Sequence, residues 1–409
     1  MNLRHLLAIP YVKRFFVTRF ISNLGNGMAP IALAFGILQL PNGSASLLGL
    51  VLGANTIATL IIFPFGGVIA DRFGRIKMVA ITDVMGSLGL IVQASFFATG
   101  HVPIWVLLFA NINFGLQAGI WWPAFSGILP ALLPEEELQK GNAFLSFISN
   151  VALISGAALG GVLVTTSGAT AALFIDAFSF LVAGVIVSTF RHLVPARSNN
   201  EHSMMQDLIH GWKVFLSYRW IVAVVGGFSF IVMAWAGAQE VLGPLISLQR
   251  FHGASSWAVV LTAESIGLVL GSLIGYRIVV KHPMRFMMII TWSLSIYIWV
   301  LSGSHSLAFI AFTALLWGIT LDLWGTIWTT AMVRQVPRES LSRVSAFDGM
   351  GSMFFRPLGL LIAGPLAAWL GIIHAMWFFA LFSAVIVGIV LLVPEVRNME
   401  MPSADSANS

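Results

Sequence analysis

Few side chains in this sequence can do chemistry, because few carry charge: 9% of the 409 residues are Asp, Glu, Lys or Arg, against 58% hydrophobic. Arg19, Asp176, Glu240, Glu264, Asp322 and Arg356 lie well inside long apolar runs. A charge there costs several kcal/mol unless it is paired or hydrated, so each is a functional candidate. Glu240, Glu264 and Asp322 are carboxyls that could exchange protons, and Asp322 with Arg356 is a candidate buried ion pair, functional or purely structural. Arg19, Asn23 and Asn26, spaced by four and three, share one face of a helix. Arg19 either points inward or snorkels to a membrane surface. The Asn26 amide can hydrogen-bond a ligand or a neighbouring helix but cannot carry a proton. Asn111, Asn113, Gln117 and Trp121 would give another helix an amphiphilic, aromatic face suited to a bulky, weakly polar molecule. Most of the other tryptophans read as interfacial or packing residues. Asp83 and Asp348, near the ends of their runs, read as latch or capping residues.

The elements that must position these groups are membrane spans, since so few charges cannot cover a soluble globule. Apolar windows of about 20 residues or more predict twelve helices. They fall near 15–39, 46–70, 77–99, 103–129, 141–165, 169–190, 219–246, 256–280, 284–302, 306–332, 345–369 and 371–393. Arg19 and Arg356 lie within spans and Arg250 on one set of links; the other Lys and Arg flank the opposite set, which predicts cytoplasmic termini. The net charge of +5 is thus a membrane-orientation signal and not a nucleic-acid footprint. The absence of cysteine excludes disulfides, thiolate metal sites and cysteine nucleophiles. No phosphate loop, His–acid metal cluster or nucleophile motif is visible, so no cofactor is expected; His101, His305 and His374 read as surface residues. Met1–Arg14 is basic and lacks a separate apolar core, so the first span is expected to remain as an anchor.

The one long polar link between spans divides the chain into an N-terminal half (1–190), a linker (191–218), a C-terminal half (219–393) and a polar, disordered tail (394–409). Within the linker, Met204–Tyr218 interleaves apolar residues with Asp207, His210 and Lys213 at helical spacing. This predicts an amphipathic surface helix, the alternative being a solvated linker. The halves look duplicated. Pro134, Leu138, Lys140 and Ala143 recur 203 residues later as Pro337, Leu341, Arg343 and Ala346, with Gly156 and Gly161 matched by Gly359 and Gly364. Residues 66–77 form a charged hairpin, Gly66-Gly67-Val-Ile-Ala-Asp71-Arg72-Phe-Gly74-Arg75-Ile-Lys77. Gly66 and Gly67 would let two helices approach, and Gly74 would permit the reversal. Gly271, Tyr276 and Arg277 look like its decayed copy.

That hairpin resembles the loop between helices 2 and 3 of the major facilitator superfamily, and two parallel six-helix repeats are the architecture of such transporters. Trp122 to Ala143, Gln335 to Asp348 and Ile175 to Phe180 are similar to stretches of the drug:proton antiporters that include macrolide-efflux and siderophore-export proteins. Two positions depart from that branch: Asn26 stands where an acid is common, and Gly156-Ala157 replaces Gly-Pro.

The resemblance implies an all-α membrane protein of twelve helices in two pseudo-symmetric halves. It implies export of an amphiphilic small molecule by alternating access, probably coupled to protons, by a monomer in the inner (plasma) membrane. The alternatives are an uncoupled or importing facilitator, or a non-transporting receptor or scaffold; no catalytic constellation suggests an enzyme. The cavity would be built from Asn23, Asn26, Gln117, Trp121, Asp322 and Arg356. Glu264, Asp322 or Glu240 would carry the proton. Gly67, Asp71, Arg72, Gly74, Arg75 and Asp348 would form a cytoplasmic latch, with Asp71 facing the start of helix 11.

Overall fold

A computed structural model of the chain describes residue 9 and residues 11–190, 212–278 and 280–400, apart from the side chains at 338, 339, 342 and 343. The basic segment before residue 9, most of the expected amphipathic helix and the tail from 401 lie outside the described residues; residues 212–217 are helical.

Eleven helices are long and apolar enough to cross a membrane. One of them, Glu135–Ser188, has 54 residues, roughly 80 Å at 1.5 Å per residue and far more than a bilayer core of about 30 Å requires. It is two spans. At Gly168 the backbone turns to φ 78° and ψ 167°, a conformation open to glycine and closed to side chains with a Cβ. The described chain therefore carries twelve spans, as the hydropathy windows predict.

They are α1 (Val12–Leu38), α2 (Ala45–Phe73), α3 (Arg75–Ala98), α4 (Ile104–Ser126), α5 (135–167) and α6 (169–188). The rest are α7 (Arg219–Trp235, continuing to Arg250), α8 (Ala254–Gly275), α9 (Pro283–Gly303), α10 (Leu307–Gln335), α11 (Arg338–Met353 and Arg356–Leu370) and α12 (Ile372–Leu391). Helix α7 is interrupted by a π-helical turn, Ala236–Leu242. The chain clusters into two compact units, one of Met1–Asn200 with Ser247–Thr262, the other of Glu201–Ile246 with Ala263–Ser409.

Inside each unit the helices cross at glycines, and these crossings reveal the duplication more completely than the sequence does. A Cβ on Gly115 of α4 would strike the backbone oxygen of Asn55 in α2; one on Gly318 of α10 would strike that of Glu264 in α8. Likewise Gly156 of α5 meets the Leu24 carbonyl of α1, and Gly359 of α11 the Met233 carbonyl of α7. The glycine partners differ by 203 positions and the carbonyl partners by 209. The same relation ties Gly168 to Gly371, which turns the chain between α11 and α12 at φ 82°.

The structural register corrects one sequence match. Gly66 packs on Gly119 and Ile120, and the residue packed on the equivalent Leu323 is Gly275, not Gly271. Sequence matching slipped by one helical turn because α8 ends at Gly275 whereas α2 runs on to Phe73, leaving no acid to fix the alignment.

Candidate functional site

In the first unit, α1, α3 and α4 surround a cavity of about 250 Å³. Asn23 and Asn26 reach it from α1, Thr82 and Asp83 from α3, and Gln117 and Trp121 from α4. Arg19 lies one helical turn before Asn23 and does not snorkel: it is 1% exposed. Its Nη2 donates to Asp83 Oδ2 at 3.0 Å, while Trp121 Nε1 donates to Asp83 Oδ1 at 2.9 Å. The guanidinium carbon stands 5.2 Å from the Trp121 ring and 5.4 Å from Phe125, so the cation rests on aromatic faces as well as on its counter-ion.

Asp83 is thus a buried ion-pair partner, correcting its assignment as a latch or cap. The apolar run near the end of which it lies gave no hint that Arg19, 64 residues earlier, packs against it.

The amides divide by role. Asn23 Nδ2 donates to Ser149 Oγ at 2.9 Å, Asn55 Nδ2 to the Asn111 carbonyl and Asn111 Nδ2 to Leu107. Asn113 donates to the Met85 carbonyl. Asn111 and Asn113 are consequently ties within and between helices and not cavity wall. Gln117 is buried beside the cavity and its Nε2 has no partner among the described residues, leaving a donor for a ligand acceptor. Asp176 is fully buried against Gly25 and Ser179, between α6 and α1, which suits the packing role expected of it.

At the charged hairpin, Gly74 adopts φ 92°. Arg75 Nε donates to Asp71 Oδ1 at 2.7 Å, and the Arg75 guanidinium covers Gly127, just past the end of α4. Arg72 lies over Phe73, 5.8 Å from its ring centre. Gly66 makes the close backbone approach; Gly67 has ordinary clearance, with Pro123 Cβ at 3.9 Å from where a methyl would stand.

The second unit holds the acids, and the expected Asp322–Arg356 pair does not form. Arg356 Nη2 donates to both oxygens of Glu240, at 2.7 and 2.9 Å. The reason lies in α7, where the π-helical turn makes two successive residues face different helices: Gln239 Nε2 donates to Glu264 Oε2 on α8, and Glu240 reaches α11. Glu240 is accordingly an ion-pair partner and Glu264 a buried, hydrogen-bonded carboxyl. Tyr297 is fully buried and within electrostatic reach of Glu264. Gln239 and Tyr297 are members of this cluster that sequence reasoning missed; the adjacent Gln-Glu pair inside an apolar run was the available signal.

Asp348 is also relocated. Helix α11 begins at Arg338, so Asp348 lies three turns in and caps nothing. Its Oδ2 accepts from Trp328 Nε1 at 2.8 Å and its Oδ1 from Ser352 at 3.2 Å, tying α11 to α10. Asp322 lines a separate groove on α10. Among the described residues no group of His, Cys, Asp and Glu is placed to hold a metal ion.

The sequence pattern of the Major Facilitator Superfamily matches residues 15–263. The multidrug efflux pump Tap of Mycolicibacterium fortuitum is 25% identical, over 93% of this chain and 94% of its own. Macrolide efflux protein A of Streptococcus pyogenes is 23% identical, over 93% and 95%. Among solved structures, the nucleoside transporter NupG shares the fold with a TM-score of 0.74 at 13% identity, covering 94% of this chain and 98% of that one. With its twelve spans and paired repeats, the chain belongs to the Major Facilitator Superfamily, as a multi-pass membrane protein of secondary small-molecule transport.

Proposed function

We propose that the chain moves an amphiphilic small molecule by alternating access, binding it in part against the aromatic and amide wall of the first-unit cavity. The observation that carries this is the chemistry of that wall: Trp121 and the apolar residues beside it supply contact area, Asn26 and the unpartnered Gln117 amide supply hydrogen bonds, and the one acid in the lining, Asp83, is already neutralised by Arg19. Such a wall suits a bulky molecule with few polar groups. In the same reading the chain is a monomer of two six-helix halves (1–190 and 219–393), joined by a cytoplasmic linker, with both termini in the cytoplasm. The expected proline-rich links and the names of the relatives support membership of the drug-efflux branch.

For the energetics, facilitated transport without a bound proton is the better-supported reading. Asn26 cannot ionise, and Asp83 is held in an ion pair and a tryptophan bond at once. Proton-coupled export is the second reading. The efflux named for Tap and macrolide efflux protein A favours that direction, and the Gln239–Glu264 bond gives it a carboxyl to load.

Two measurements test the proposal. Susceptibility of an efflux-deficient host across a panel of amphiphilic compounds should change when the protein is expressed, and an unchanged panel would remove the amphiphile reading. In reconstituted vesicles, flux of a compound found in this way should ignore an imposed pH gradient; acceleration by the gradient would replace facilitation with proton antiport.

A further inference from the structure

Of the acids placed inside the spans of the second unit, Asp322 is the one without a partner. Glu240 is paired with Arg356, Glu264 is bonded to Gln239, and Asp348 accepts from Trp328 and Ser352. Asp322 Oδ2 has no solvent exposure and no hydrogen-bond partner among the described residues. The residue as a whole is half-buried and opens on a groove of about 570 Å³.

Packing does not explain the charge. The repeat relation sets Asp322 against Gly119 of the first unit and Gly271 against Ile62. In the first unit the small residue is Gly119, and the Ile62 side chain fills the space over it; in the second the small residue is Gly271, and Asp322 fills the space. The crossing needs one large and one small residue, and an aliphatic side chain serves in the first unit. A carboxyl in that place costs several kcal/mol in a membrane interior and gains the helices nothing over isoleucine.

The groove supplies acceptors and no counter-ion. Its other lining residues are Leu268, Leu321, Gly325, Thr326, Thr329 and Thr330. Thr329 and Thr330 donate their hydroxyl protons to the carbonyls of Gly325 and Thr326, so their oxygens present lone pairs outward. The result is a wall with a carboxylate, further oxygen acceptors, two leucines and no cationic side chain.

We infer that this groove of the second unit is a binding site for the cationic group of an amphiphile, with Asp322 as its counter-ion and Leu268 and Leu321 as apolar contacts. The inference rests on the proposed amphiphile transport and narrows its substrates to organic cations. The positive charge arrives with the ligand, which explains why the protein carries the acid without a basic partner. A volume of this size is within the range of small-molecule sites.

The test uses the purified full-length protein and two ions of nearly equal size and shape, tetraphenylphosphonium and tetraphenylborate, in equilibrium binding. Wild type should bind the cation and reject the anion. Asp322→Asn, which preserves shape, should weaken cation binding about tenfold to a hundredfold, the worth of a charge-assisted contact, and Asp322→Glu should restore most of it. Equal binding of the two ions by wild type, or undiminished cation binding by Asp322→Asn, would overturn the assignment; the wild-type comparison decides even if the variants fail to fold. If neither ion binds while the host panel still responds to uncharged amphiphiles, the cation site fails and the transport reading stands. A silent panel removes the transport reading whatever the ions do.

Discussion

Trp121 and Trp324, 203 residues apart, hold the same place in the two units, yet one lies beneath a guanidinium and the other beneath a phenyl ring. Arg19 stands 5.2 Å over Trp121, and Phe228, 209 residues after Arg19, stacks on Trp324 at 4.0 Å between centroids and 16° between planes. Each tryptophan also stacks on the aromatic residue one turn later, Phe125 or Trp328. The scaffold is repeated and its charge is not: a cation in the first unit is answered by a hydrophobic ring in the second.

This asymmetry makes the Arg19–Asp83 pair separable from the fold. Asp83→Asn leaves a buried guanidinium without its counter-charge, and should cost about 3–5 kcal/mol. Replacing both partners by leucine should recover most of that loss, because the second unit keeps the same packing without a cation. Thermal unfolding of the purified variants checks this; a double variant less stable than the single one would show that the pair is required for folding.

The glycine crossings predict a positional pattern. Gly115→Ala and Gly318→Ala drive a methyl into a backbone carbonyl of the neighbouring helix and should cost about 1–3 kcal/mol. Gly349 and Gly388 have nothing within 4 Å of the added carbon, so alanine there should be neutral or stabilise by up to about 1 kcal/mol through helix propensity. Comparable melting temperatures for all four variants would contradict the assigned crossings.

Glu264→Gln separates the two energetic readings. An amide can still accept from Gln239, so the helix contact survives the substitution. Facilitated transport should then persist in vesicles at close to the wild-type rate. Loss of gradient-driven flux in a correctly inserted variant would instead assign the proton to Glu264.

The hairpin pair Asp71–Arg75 is 43% and 30% exposed, and such pairs contribute only about 0.3–0.5 kcal/mol. Asp71→Asn should therefore leave the melting temperature nearly unchanged. As a latch residue its effect belongs in the conformational equilibrium: labelling of single cysteines placed on the cytoplasmic side should increase. Unchanged labelling would leave Asp71 as a local helix-end contact.

The spans, their number and the duplication were legible in the sequence because apolar length and recurring glycines are local signals. The partners of the charges were not, since they depend on rotation about helix axes. Asp322 and Arg356 occupy adjacent helices in the chain, but the widened turn in α7 brings Glu240 to Arg356 first. Asp83 likewise read as a boundary residue because its partners, Arg19 and Trp121, come from two other helices. Asn111 and Asn113 looked the same as Gln117 in sequence; only packing distinguishes amides consumed by backbone carbonyls from one left facing a cavity.

The widened turn of α7 also makes two hydrogen bonds thermodynamically dependent on one another. Gln239 and Glu240 can face α8 and α11 together only while Ala236–Leu242 stays π-helical. An ordinary α-helix advances about 100° per residue, so tightening the turn breaks the register of both. Strain applied at Arg356 is therefore relieved at Glu264, and a double-mutant cycle between these residues should show a coupling energy although they share no contact.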